Sequence, residues 1–356
     1  MKPPSGNRTI RAVGAMSGTS LDGLDLAAVE FRLKDGNWSF KLKDATTIPY
    51  PKNWEDALKG APELSGEAMT ELDVKYGKYI GNQVSRFLRK TDFSPDLIAS
   101  HGHTVFHQPE KGLTLQIGSG AEIANQTRIL AVADFRTQDV ALKGQGAPLV
   151  PVGDRLLFSE YDYCLNLGGF ANISFELESE RVAFDICPAN IVLNALAQRK
   201  GFDCDWGGEL GKKGELIYQL LDRLNALQFY KNNGPKSLGR EWVETIFLPE
   251  INKGNHSESD ILCTVYEHIA QQVANSVSVS GKMLVTGGGA YNSFLIDRIR
   301  AHTKTELVIP DKQIVEFKEA IVFAFLGVLR LLEIPNCLSS VTGAKNDHCS
   351  GVIFYP

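Results

Sequence analysis

Residues 18–25 read GTSLDGLD, a run of small and acidic residues suited to holding a polyphosphate. Glycine, threonine and serine at a hairpin tip expose backbone N–H groups and hydroxyls with little steric cover. Asp22 and Asp25 can hold magnesium beside such a ligand, directly or through water, and neutralise its charge. The same residue types build ordinary hairpin turns, so this stretch alone leaves both readings open.

Two further glycine turns repeat the design. Residues 165–174 (LNLGGFANIS) place Gly168 and Gly169 directly after a strand, with Asn172 able to offer its amide to a phosphate. Residues 285–292 (VTGGGAYN) put Gly287, Gly288 and Gly289 between a strand and a helix, where backbone can lie against a nucleoside or phosphate. As a set, the three turns suggest a nucleotide clamp drawn from both halves of the chain.

Asp185, in AFDICPAN, ends an apolar strand, a usual place for a general base; a helix N-cap or turn former is the competing reading. Pro188 and Asn190 suit a rigid turn into a helix beginning near Ile191. In HGHTVFHQ, His101 and His103 point to one face if the strand continues. No further ligand pattern joins them or His107, so hydrogen bonding or a structural role is expected rather than a metal. His256, His268, His302 and His348 fall in expected loops or helices without a supporting pattern.

Gly118 and Gly120 in LQIGSGAEIANQ invite a dinucleotide-binding reading, with Asp134 or Asp139 as the downstream acid, but Ile123 stands where a third glycine belongs. A sugar-contacting loop with Glu122 capping the helix start explains the stretch equally well. Arg136 in ADFRTQDVA suits a carboxylate partner through its planar fork, with a surface salt bridge as the alternative. Lys236 and Arg240 in PKSLGRE are either a second anion contact or a solvated helix start.

The elements that must position these residues alternate between strand and helix. Ile10 to Ala15 and Leu24 to Leu33 read as a hairpin, and Trp38 to Lys43 alternates with Trp38, Phe40 and Leu42 on one face. Residues 65–90 carry apolar positions at helical spacing behind Ser65 as N-cap, and Leu97 to Ser100 reads as a buried strand. The second half repeats the style. Tyr163 to Leu167, Ile173 to Leu177 and Met283 to Val285 are strands; residues 190–200, 214–228, 259–280 and 316–333 are helices, with another from about Ser293. The expected fold is α/β, two related halves around a central cleft, with a hinge near residues 134–150.

Length and composition agree. A chain of 356 residues suggests two domains and allows a substantial core. With 43% hydrophobic and 22% charged residues, disorder is excluded for most of it. The net charge of -5 argues against a nucleic-acid partner. The six cysteines include no Cys-x-x-Cys pair, which argues against a zinc or redox couple and fits free thiols in a reducing cytosol. The longest apolar run, Ala320 to Leu329, is too short for a membrane span, and the N-terminus MKPPSGNRTI lacks the apolar core of a signal peptide. A soluble, cytoplasmic protein with no membrane partner is expected.

The motifs MSGTSLDGLD, HGHTVFHQP, ADFRTQDVA, GQGAPLVP, NLGGFANIS, FDICPAN, PKSLGRE, VTGGGAYN and SSVTGAKNDH occur in one order across almost the whole chain. As a set they resemble the anhydro-N-acetylmuramic acid kinases, members of the actin and sugar-kinase (ribonuclease H-like) superfamily. The resemblance implies an N-terminal lobe over 1–139, with the tail 340–356 as a candidate to complete it, and a C-terminal lobe over 140–339. It implies ATP-dependent, hydrolytic opening of the 1,6-anhydro bridge of 1,6-anhydro-N-acetylmuramic acid, a fragment of recycled cell wall, with phosphorylation of O6. By this resemblance Gly18, Thr19, Ser20, Leu21, Asp22, Gly23, Leu24 and Asp25 hold the ATP phosphates, Asp22 and Asp25 with Mg2+, aided by Gly168 and Gly169. Gly287, Gly288 and Gly289 line the adenosine, Asp185 activates the attacking water, and Arg136 and Glu319 contact the sugar. A homodimer is expected on the same ground.

The chain departs from the family pattern FDTGPGN. Ile186, Cys187 and Ala189 replace a threonine and two glycines, and Asn194 stands in place of an aspartate. Lys143 stands for a common glycine and Asp154 for a common histidine. A replaced glycine that required positive φ would cost roughly 1–2 kcal/mol. Two alternatives follow: a weakly active or inactive ATP-binding amino-sugar sensor, and an NAD-dependent oxidoreductase built on Gly118 and Gly120.

Overall fold

Alternating apolar residues drive the first hairpin. Strand β1 (Arg8–Ser17) pairs antiparallel with β2 (Gly23–Lys34), which pairs antiparallel with β3 (Asn37–Pro49). β4 (Leu97–Gln108) lies parallel to β1, β5 (Leu113–Ile117) turns back antiparallel on the far end of β4, and β6 (Leu130–Ala133) runs parallel to its start. This computed structural model describes residues 7–18, 21–231 and 236–356; Thr19, Ser20 and Pro235 of the motifs above lie outside the described residues.

The helix Gly66–Thr91 forms where the spacing predicts it, with the Ser65 hydroxyl accepting from the Ala68 N–H at 3.3 Å. Its apolar stripe of Met69, Leu72, Tyr76, Ile80, Val84 and Phe87 packs with β1 and β2 residues into one core. The helix Lys312–Leu331 also packs on this sheet, and Gly14 permits the approach. A Cβ at that position would stand only 1.9 Å from the Ala320 carbonyl oxygen, so no other residue fits without moving the helix.

The second sheet repeats the scheme. β7 (Tyr163–Leu167), β8 (Phe170–Leu177) and β9 (Glu180–Pro188) form an antiparallel meander, while β10 (Lys282–Thr286) and β11 (Glu306–Val308) add in parallel beside β7. Its order, β11-β10-β7-β8-β9, matches β6-β4-β1-β2-β3 of the first sheet. The expected α/β class with two related halves is present. Helices Asn190–Arg199, Glu258–Asn275 and Ser293–His302 pack their apolar faces into the core of this unit. Finally β12 (Val352–Phe354) pairs antiparallel with β6 at the edge of the first sheet.

One compact unit therefore holds the chain up to Leu157 together with Phe317–Pro356, and the other holds Phe158–Glu316. Segments 140–157 and 317–339 group with the first unit, so the chain crosses between units after Leu157 and after Glu316 rather than near 134–150. The reason is local anchoring: the buried Asp139 carboxylate accepts from the Gly146 N–H and the Thr342 hydroxyl, both at 2.7 Å. The helix expected over 214–228 shortens to Tyr218–Asn225, preceded by a 3-10 turn at Gly211–Lys213. Among the described residues no helix is long and apolar enough to cross a membrane.

Candidate functional site

In the first unit, β1 and β2 deliver the GTSLDGLD turn. Ser17 ends β1 with its side chain buried, joined to Tyr50 at 2.8 Å and to His103 Nδ1 at 3.1 Å, while Tyr50 meets the Tyr76 hydroxyl at 2.5 Å. Burial lowers the His103 imidazole to about 4 and raises Tyr50 to about 12, so this chain carries no charge near neutral pH. Leu21 takes a left-handed φ of 61° and its N–H reaches the Gly18 carbonyl at 3.4 Å. Asp22 is exposed, and Asp25 accepts from the Thr47 hydroxyl at 2.5 Å. Leu24 is 1% exposed and belongs to the core, so only its backbone is available to a ligand.

Arg136 enters from the start of the short helix Thr137–Ala141. Its Nε–H donates to His101 Nε2 at 3.0 Å and one terminal N–H donates to the Gly146 carbonyl at 2.6 Å. Burial lowers the guanidinium to about 10, against the pull of Glu319, Cys337 and Asp139. Glu319 is reachable by solvent yet ringed by protein: lost solvation raises its carboxyl, Arg136 and Lys318 pull it down, and Asp25 raises it further. Glu319 thus interacts electrostatically with both Arg136 and Asp25.

His101 and His103 do not work as a pair. The β1–β4 register shifts between Ala15 and Met16, Gly102 takes φ 71°, and the two rings meet Arg136 and Ser17 respectively. His107 Nδ1 meets the Thr114 hydroxyl at 3.1 Å. The Gly118–Gly120 turn is packed with protein rather than open to a dinucleotide. A Cβ on Gly120 would fall 2.4 Å from the Phe354 ring, and the Gly118 N–H is taken by Asp73 at 2.7 Å. Ser119, not Glu122, supplies the helix cap, its hydroxyl accepting from the Glu122 N–H at 3.4 Å.

In the second unit one side chain links the glycine turns. Asn190 donates from Nδ2 to the Leu167 carbonyl at 3.0 Å, and its Oδ1 lies 3.4 Å from where a Cβ on Gly289 would stand. The Gly168 carbonyl accepts from the Asn190 N–H at 3.1 Å, and the Gly169 carbonyl accepts from Ala189 at 2.9 Å and Ile191 at 3.1 Å. These bonds satisfy the orphan N–H groups at the start of the helix Asn190–Arg199. In a trans peptide the N–H points opposite the carbonyl, so the Gly169 N–H is turned away from that helix. Gly287 takes φ 81° and passes so close to β7 that a Cβ would stand 2.6 Å from Asn166 Oδ1. Gly168, Gly169, Gly287, Gly288, Gly289 and Asn190 are brought together; the sequence marked Asn190 only as a turn residue.

Asp185 lies on β9 opposite Asn172, where the β8–β9 register shifts between Ala171 and Asn172. A bulge of this kind re-aims a side chain out of the regular pleat. The Asp185 N–H donates to the Lys236 carbonyl at 2.9 Å, and its Oδ2 accepts from the Leu238 N–H at 2.8 Å. Burial raises the Asp185 carboxyl above the ordinary aspartate range, with the Leu238 N–H opposing. Lys236 Nζ donates to the Phe229 carbonyl at 3.1 Å and sits 4.5 Å from that ring's centroid, whereas Arg240 pairs with Glu244 on the surface. The PKSLGRE stretch therefore reaches Asp185 through its backbone, which residue types alone do not signal.

In the altered loop the backbone at Ala189 leaves the α and β regions, with ψ -106°. Ala189 has φ -125°, and neither Ile186 nor Cys187 is among the positive-φ residues, so no left-handed penalty arises there. Ile186, Cys187 and Ala189 are buried in the core of the second unit, and burial pushes the Cys187 thiol well up. Lys143 is different, with φ 72° where the family commonly has glycine.

The sequence profile of the anhydro-N-acetylmuramic acid kinase family matches residues 10–356. An anhydro-N-acetylmuramic acid kinase of Bacillus cereus (strain 03BB102) is 33% identical over 376 aligned positions, covering 96% of this chain and 98% of that protein. Among solved structures, component A of the (R)-2-hydroxyglutaryl-CoA dehydratase of Acidaminococcus fermentans has a TM-score of 0.44 at 13% identity, over 88% of this chain and 96% of that one. A ROK family glucokinase from Streptomyces griseus has a TM-score of 0.40 at 10% identity, over 89% and 98% of the two chains. The structural likenesses are too remote to carry residues across, whereas the sequence match runs nearly end to end. The chain belongs to the anhydro-N-acetylmuramic acid kinase family.

Proposed function

We propose that the protein is an ATP-dependent kinase that hydrolytically opens the 1,6-anhydro bridge of 1,6-anhydro-N-acetylmuramic acid and phosphorylates the freed O6. The product is N-acetylmuramic acid 6-phosphate. The observation that carries this reading, beside family membership, is Asp185: a half-buried carboxylate on a strand bulge, anchored by the Leu238 N–H at 2.8 Å and raised in pKa by burial. A base with a raised pKa accepts a proton more readily in the transition state than an ordinary aspartate.

In this reading Asp185 takes a proton from water as the water oxygen bonds to C1 of the sugar. The C1–O6 bond breaks, and O6 forms the new bond to the γ-phosphorus of ATP as ADP departs. Gly18, Thr19, Ser20, Leu21, Asp22, Gly23, Leu24 and Asp25 hold the phosphates, with Gly168 and Gly169 assisting, and Gly287, Gly288 and Gly289 line the adenosine. Arg136 and Glu319 contact the sugar, the arginine being suited to its lactyl carboxylate. The donors at the first turn are carboxylate oxygens, Asp22 exposed and Asp25 oriented by Thr47, a set that fits a hard cation. Magnesium held there with ATP supplies charge neutralisation for phosphoryl transfer. On the same reading the protein works in the cytoplasm, as a homodimer.

The test is ADP release from Mg-ATP and 1,6-anhydro-N-acetylmuramic acid, with mass spectrometry of the sugar. A product heavier than the substrate by one water and one phosphoryl group is expected. ATP binding without ADP release on this sugar would overturn the proposal and favour a sensor.

A further inference from the structure

A group of ligating side chains in the first unit plays no part in the kinase reading. Asp139, Cys337 and His348 each offer one ligating atom, and these atoms all lie within 4.8 Å of one another. Cys337 and His348 face each other across an antiparallel bridge, and Asp139 comes from the helix Thr137–Ala141. All three are buried, at 2%, 9% and 0% exposure respectively.

The second observation is the state of the imidazole. His348 Nδ1 lies 3.2 Å from the Asn346 carbonyl oxygen, an acceptor that assigns the ring proton to Nδ1. In the neutral ring Nε2 is then a bare lone pair. It is buried without a hydrogen-bond partner and stands 3.5 Å from Asp139 Oδ1. A buried lone pair beside a carboxylate oxygen is costly unless a proton or a cation lies between them.

We propose that Asp139, Cys337 and His348 bind a structural divalent transition-metal ion of the zinc type. Sulfur, imidazole nitrogen and one carboxylate oxygen form a donor set suited to zinc rather than to magnesium or calcium, which take oxygen. Metal–ligand bonds of about 2.0–2.3 Å in a tetrahedron place ligand atoms about 3.3–3.8 Å apart. The oxygen and nitrogen already meet that spacing at 3.5 Å. A thiolate and a carboxylate neutralise a divalent ion, so the loaded site has no net charge to bury.

The ligands are also oriented as metal ligands are. Thr342 donates to Asp139 Oδ1 and the Gly146 N–H to Oδ2, each at 2.7 Å, and the Asn346 carbonyl orients His348. Asn336 staples the bridge in place: its Nδ2 donates to the Leu326 and Ser350 carbonyls at 3.0 and 2.9 Å, and its Oδ1 accepts from the Ser350 N–H at 2.6 Å. The ion ties this C-terminal segment to the Asp139–Gly146 loop, whose Gly146 carbonyl in turn holds Arg136. The proposal does not depend on the kinase reading.

The test is titration of tag-free, chelator-stripped, reduced protein with Co2+. One equivalent should produce a near-ultraviolet thiolate-to-cobalt band and raise the melting temperature, and Zn2+ should displace the band. Cys337→Ser should abolish it, Thr342→Val should weaken cobalt affinity by about 10–100-fold, and Cys349→Ser should leave it intact. In the wild-type chain, bound zinc should protect Cys337 from alkylation, as mapped on peptides, which reads the same site if the variants fail to fold. Absence of the band in wild-type protein, its persistence in folded Cys337→Ser, or zinc protection of other cysteines but not Cys337 would overturn the proposal.

Discussion

Arg136 donates its Nε–H to Nε2 of His101 at 3.0 Å, while the other ring nitrogen, Nδ1, faces the Gly102 carbonyl at 3.0 Å. A guanidinium N–H can only donate, so Nε2 must accept and the ring proton must sit on Nδ1. Burial lowers the His101 pKa well below its ordinary value, and Arg136 adds to the effect. His101 is thus a neutral acceptor that holds the arginine.

Nitrogen NMR of the imidazoles should find His101 in the Nδ1–H form at neutral pH and through mildly acidic pH. The variant His101→Phe leaves the Arg136 Nε–H without its partner and should lower unfolding free energy by about 1–3 kcal/mol. It should also raise KM for the sugar while leaving ATP affinity unchanged. An unchanged KM in a folded variant would show that Arg136 does not depend on His101 for its placement.

Asp185→Asn keeps an acceptor for the Leu238 N–H and removes only the basic oxygen. Turnover should fall by about 10²–10⁴-fold, the range of general-base contributions, with ATP affinity nearly intact. Calorimetry of ATP binding alongside steady-state rates separates the two quantities. Near-wild-type turnover would remove Asp185 from the proposed role.

The acid limb of the rate profile follows from the same residue. Burial raises the folded Asp185 pKa, and a protonated carboxylic acid cannot accept the water proton. Rate should therefore fall as pH drops through a value above the ordinary aspartate pKa. A limb at or below the ordinary value, measured as kcat/KM against pH, would contradict the assignment.

Lys318 meets Asp154 at 2.7 Å with both side chains more than nine-tenths buried. Lys318→Met removes the ion-pair partner of this buried carboxylate and should cost about 3–5 kcal/mol in denaturant unfolding, whereas Asp154→Leu combined with Lys318→Met should recover most of that loss. An additive loss in the double variant would mean the pair is not the unit of stability.

Gly287 has φ 81° and a Cβ there would come 2.8 Å from the Leu167 carbonyl carbon. Gly287→Ala should lower stability by at least about 1–2 kcal/mol from backbone strain and weaken ATP binding. An unaltered melting curve with unaltered ATP affinity would remove this turn from the nucleotide site.

Much of this was legible before any coordinates. The hairpin on either side of residues 18–22, the Ser65-capped helix Gly66–Thr91 and strand β7 (Tyr163–Leu167) follow from local periodicity, capping and turn residues. The three glycine turns and the motif order carried the family as well. The Gly118–Gly120 reading failed because a turn's residue types do not reveal that Phe354, more than two hundred positions later, packs on it.

The sequence by itself determined the α/β class, the repeated hairpin-led halves and the family, because these reside in patterns spanning about ten residues and in their order. Tertiary structure decided which polar groups meet: His101 with Arg136, Asp185 with the Leu238 N–H, Asp139 with Cys337 and His348. Those partners are 35, 53 and about two hundred positions apart. Strand register and the packing of separate chain segments bring them together, and neither is encoded in any one local stretch.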